Sequence, residues 1–80
     1  MIGKHLVRFS LNLEDIVIDS ENLYGLSTQL QTLENLKSLS LDFDDCTFKV
    51  DDEDLRNLGR SIKSLGRLEN LELSFPILFD

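Results

Sequence analysis

One spacing of apolar residues occurs three times in this chain, and it constrains the fold more than any other feature. The first copy is Leu6, Phe9, Leu11, Leu13 and Ile16. The second is Leu36, Leu39, Leu41, Phe43 and Cys46, and the third is Leu68, Leu71, Leu73, Phe75 and Leu78. The copies are offset by 30 and then 32 residues. A fixed period in this range marks units that stack on one another. Stacks of this kind present extended binding surfaces.

The centre of each copy alternates, as in Phe9-Ser10-Leu11-Asn12-Leu13, which is the pattern of a strand with one buried face. Strands are expected near 8–13, 38–43 and 70–75, with Pro76 closing the last because it has no N–H to donate. Between copies the period changes. Leu23, Leu26, Leu30 and Leu33, and again Leu55, Leu58, Ile62 and Leu65, fall on one helical face. Helices are expected over 20–33 and 52–65. Asp19 or Ser20 caps the first and Asp51 the second, and Gly66 takes a left-handed C-cap after the second. Strand-helix-strand-helix-strand with short links implies parallel strands and right-handed crossovers. The expected fold is α/β: a short right-handed β-α solenoid, with parallel strands on its concave side and helices on its convex side.

Leu-x-x-Leu-x-Leu-x-Phe-x-x-Cys at 36–46, followed by a helix and recurring after 32 residues, resembles the leucine-rich repeats. The long unit with a true helix is similar to the ribonuclease-inhibitor-like class. The resemblance covers two full repeats and a third strand, a single domain over 1–80. It implies a non-catalytic protein-binding module from a longer array. The polar Asn or Cys that the family places after the strand is met by Cys46, with Ile16 and Leu78 at the matching places.

Charge narrows the partner. Fifteen acidic and eight basic residues give a net charge of −7. Nucleic acid and anionic membrane need a basic footprint, so a protein partner fits better, either a basic one or one not recruited by charge. One cysteine excludes an intramolecular disulfide and favours a reducing compartment. No apolar run approaches a membrane span, and Arg8, Ser10 and Asn12 interrupt the N-terminal region where a signal peptide would be apolar. The expected location is cytoplasmic.

Short motifs with catalytic or metal chemistry weigh less. Asp42-Phe43-Asp44 resembles the D-x-D nucleophile of haloacid-dehalogenase-like phosphotransferases, but their strand is buried on both faces and Lys37–Leu41 alternates. Asp42, Asp44 and Glu53 occupy positions 1, 3 and 12 of a calcium loop, yet Cys46 and Thr47 stand where an oxygen ligand and a glycine are needed. Cys46 lacks a neighbouring base and reads as a packed residue. His5 lacks a second His or Cys. The chain is read as no enzyme, with no cofactor and no metal. Arg56, Arg60, Lys63 and Arg67 form a basic stripe that reads as a solvated outer face, with Asp52 and Arg56 as an i, i+4 pair.

Alternation nominates the binding residues. Arg8, Ser10 and Asn12, then Ser38, Ser40 and Asp42, then Asn70, Glu72 and Ser74 point outward from the three strands. They stack as Ser10/Ser40/Glu72 and Asn12/Asp42/Ser74. The third strand has no helix after it, so Phe75, Ile77 and Phe79 form an open apolar end. Self-assembly through that end into a homo-oligomer is the alternative function.

Overall fold

A computed structural model describes residues 5–76. Its order is β1 (Arg8–Asp19), α1 (Ser20–Leu30), β2 (Ser38–Lys49), α2 (Asp52–Lys63) and β3 (Asn70–Ser74). The strands form one parallel sheet in the order β1-β2-β3. Its register joins the residues that the spacing aligns: Phe9 lies beside Leu39 and Leu39 beside Leu71, while Leu11, Leu41 and Leu73 form the next row.

The apolar face of the sheet meets the apolar stripes of the helices. Leu39, Leu41 and Phe43 of β2 are buried with Leu23 and Leu30 of α1 and Leu58 of α2. Phe43, Phe48 and Phe75 make an aromatic trio with centroids 5.5 to 5.9 Å apart, Phe43 tilted against each of the others and Phe48 edge-on to Phe75. That spacing lies in the favourable range for ring pairs. The trio ties the far end of β2 to the residue that follows β3.

Both strands preceding a helix run longer than expected, to Asp19 and Lys49. Two compensating bulges hide this from a period-two reading. Phe43 and Asp44 stand opposite Leu13, then Asp15 and Ile16 stand opposite Cys46, and the register resumes at Val17 beside Thr47. Asp15 takes φ of 58°, a left-handed conformation that aspartate tolerates better than most residues. The Cys46 thiol donates to the Leu13 carbonyl at 3.1 Å and so supports the backbone beside this bulge.

Both N-caps form as capping boxes. Asp19 accepts from the Asn22 N–H at 2.8 Å, and Asp51 accepts from the Asp54 N–H at 2.9 Å. The side chains of Asn22 and Asp54 accept in return from the cap N–H groups. The helices stop short of the expected 33 and 65. Leu33 donates to the Leu30 carbonyl and Leu65 to that of Ile62, both at 3.0 Å. These i to i+3 bonds tighten the chain into turns while Leu33 and Leu65 still pack inward. Gly66 is not a left-handed cap: no described glycine has positive φ, and α2 ends at Ser64 in right-handed geometry.

Ser27 and Ser61 are buried on the two helices, where small side chains permit close approach. Ser61 accepts from the Gln31 amide at 2.9 Å and donates to the Asn57 carbonyl at 3.1 Å. The Ser27 hydroxyl has no hydrogen-bond partner. Ser27→Ala removes an unpaired buried group and improves helix propensity, so it raises unfolding stability by about 1 kcal/mol. Gly25 and Gly59 lie inside helices with nothing within 4 Å of an added Cβ. Gly25→Ala and Gly59→Ala each add up to about 1 kcal/mol. Urea midpoints at constant slope check all three.

Candidate functional site

The nine outward strand positions come together on the sheet face away from the helices. Arg8, Ser38 and Asn70 form one row, Ser10, Ser40 and Glu72 the second, and Asn12, Asp42 and Ser74 the third. Parallel pairing in constant register is what places them so, since each inward Leu or Phe forces its neighbours outward. The side chains of β2 are half-buried between their neighbours, while those of Arg8, Ser10, Asn12, Asn70 and Glu72 are exposed. A shallow depression of about 320 Å³ crosses the first two rows, with Arg8 at one margin and Glu72 at the other.

Hydrogen bonds fix part of this face. Asn70 donates to the Ser38 hydroxyl at 3.3 Å. Asp42 accepts from the Asp44 N–H at 3.1 Å, and Asp44 accepts from the Ser74 hydroxyl at 3.2 Å. Asp44 was not among the nine positions. It enters the site because the β2 bulge turns it beside Ser74, and the even alternation of the sequence carries no signal of that turn. Glu14, Asp15 and Asp45 are exposed near the same margin.

Asp42 and Asp44 lie within β2 and Glu53 within α2, so the residues 42–53 are strand and helix rather than a calcium-binding loop. Among the described residues no three His, Cys, Asp or Glu side chains are grouped to hold a metal ion. No helix among them is long and apolar enough to cross a membrane. Cys46 is buried, with its thiol engaged by the Leu13 carbonyl.

The open end divides. Phe75 is half-buried in the aromatic trio, while Ile77 and Phe79 lie outside the described residues. Leu71 and Leu73, whose alternation places them on the inward face, are instead 46% and 41% exposed, on the strand at the edge of the described three-stranded sheet.

On α2 the ion pairing differs from the expected Asp52–Arg56. Glu53 takes both Arg56 at 3.4 Å and Arg60 at 3.2 Å, and Arg67 donates to Asn35 at 2.7 Å. The basic stripe is thus partly occupied by its own helix and its neighbour.

Compared with known proteins, the chain matches no family model, no curated protein and no solved structure.

Hydrogen bonds from Arg60, then Arg56, hold the Glu53 carboxyl below its ordinary pKa. The Ser20 hydroxyl, then the Asp51 N–H, does the same for Asp54. A carboxyl with a depressed folded-state pKa stabilises the fold above its unfolded value, and that contribution disappears as pH falls through the folded value. A Glu53→Gln/Asp54→Asn variant is therefore less stable than the parent at neutral pH. The gap closes on acidification below the ordinary carboxylate range, as urea unfolding across a pH series will show.

Proposed function

We propose that this chain is a non-catalytic protein-binding module of the leucine-rich-repeat kind, a short β-α solenoid whose polar sheet face is concave and receives a basic partner. The alignment of nine outward side chains into three continuous rows carries the reading. Hydroxyls, amides and carboxylates make up those rows apart from Arg8, with Asp44, Asp45, Glu14 and Asp15 at one margin. Lysine and arginine side chains of a partner would find acceptors at Ser40, Asp42 and Glu72. The net charge of −7 steers such a partner toward the chain. Large aromatic anchors are missing from the nine positions, so the affinity rests on several charged hydrogen bonds rather than on one buried hot spot.

Selection of peptides from a displayed random library against the immobilised chain tests this. Selected peptides are expected to be rich in Lys and Arg, and to bind a Ser40→Arg/Asp42→Asn variant about tenfold or more weakly. Peptides whose binding is indifferent to that variant, or whose composition is acidic or apolar, would place the interface elsewhere.

A further inference from the structure

Each inward row of the sheet is dry in the middle and wet at both ends. In the row of Phe9, Leu39 and Leu71, Leu39 is 2% exposed while Leu71 is 46% exposed and Phe9 is half-buried. In the next row Leu41 is 1% exposed, Leu73 is 41% exposed and Leu11 is half-buried. Residue type does not explain the contrast, since leucine stands at both the dry and the wet places. What differs is a strand on either side. The large apolar residues that are exposed among the described ones follow the same rule: Val7, Ile16 and Val17 belong to β1 and its lead-in, Leu71 and Leu73 to β3, and Tyr24 alone to a helix. Beside β1 lies an apolar cavity of about 430 Å³, with Leu11, Leu13, Ile16, Val17 and Leu26 in its wall.

Strand edges of this kind accept another strand through main-chain hydrogen bonds, with alternate side chains filling the space beneath. We propose that a second copy of this chain docks its β1 edge, in parallel, on the β3 edge of the first, so that the sheet continues head to tail. Continuing the internal register places Arg8 of the second copy beside Asn70, Phe9 beside Leu71, Ser10 beside Glu72 and Leu11 beside Leu73. Two leucines that are wet in one copy are then covered by two apolar residues that are half-buried in the other. Charge favours this arrangement over a pairing of two β3 edges. Arg8 of the second copy lies diagonal to Glu72, on the same sheet face. An antiparallel pairing of two β3 strands about their centre would set Glu72 against Glu72, a like-charge pair that destabilises a sheet. The contact joins two different surfaces, so it does not close on itself and extends with concentration.

Two single variants of the full chain test this by light scattering over a concentration range. Leu71→Lys blocks the β3 edge and Leu11→Lys the β1 edge. Circular dichroism checks each fold, with Arg8→Glu replacing Leu11→Lys should that chain not fold. The unsubstituted chain is expected to grow in mass with concentration. Each variant alone associates about tenfold or more weakly. An equimolar mixture gives a capped heterodimer, because one variant keeps its β3 edge and the other its β1 edge. A β1-edge variant that dimerises alone would show β3 against β3, and Leu71→Lys dimerising alone would show β1 against β1. Either result overturns the proposal. So does a mixture that stays monomeric, or an unsubstituted chain that is monomeric throughout. These outcomes do not depend on any peptide binding to the polar face.

Discussion

The burial of the inward side chains of β2 is the constraint on which the rest of the structure depends. Leu39, Leu41 and Phe43 are almost wholly removed from water because β2 alone has a parallel strand on both sides. A one-residue slip in either pairing would turn these three toward solvent and bring Ser38, Ser40 and Asp42 into the core. Burial of that magnitude, about 1.5 to 3 kcal/mol for each large side chain, is ample to hold the register against such a slip. The helices then have little choice. Leu23, Leu30 and Leu58 reach the dry centre of the sheet only from the face that β2 has made apolar.

Much of this was legible in the sequence because two periods carry it. Alternation located the centres of the three strands, and the helical stripes located both helices within a few residues. Asp51 marked one helix start and the pair Asp19 and Ser20 the other, because short acceptors suit the exposed N–H groups of a first turn; the structure selects Asp19. What stayed hidden lies where neither period holds. The continuation of β1 to Asp19 and of β2 to Lys49 passes through bulges, where inward and outward positions exchange. Gly66 carried the composition of a helix end, but the chain turns through consecutive i to i+3 bonds that need no positive φ. The choice of Glu53 over Asp52 by Arg56 and Arg60 depended on which helical face each carboxylate occupied, a matter of angle rather than of charge count.

The candidate site was legible for the same reason as the core. The nine outward positions are the complement of the inward ones, so fixing one set fixed the other. The contact of Asp44 with Ser74 was not legible, because the bulge, not the period, makes it. The parallel sheet itself is unusual in this respect. Parallel strands are commonly covered on both faces and read as continuous apolar runs. Here the residues before the bulges alternate between apolar and polar, and the face away from the helices is a platform of mostly short side chains, with Arg8 and Glu72 at its margins. Serine and aspartate lose little conformational freedom when a partner settles on them. Such a platform suits contacts in which the partner supplies the long side chains.

On the two proposals the polar face and the apolar edges take different partners, and the two surfaces are geometrically coupled. The edges lie in the plane of the sheet and the rows run across it, so a strand added at an edge lengthens every row. Head-to-tail stacking would set Arg8, Ser10 and Asn12 of one copy in line with Asn70, Glu72 and Ser74 of the next, without covering any of them. Stacking and binding on the polar face would therefore not compete. A partner with several basic side chains could bridge two copies, and its effective concentration at the second copy would then be set by the strand spacing rather than by bulk solution. The leucines buried at an edge and the charges displayed on the face would act together, because a single register governs both.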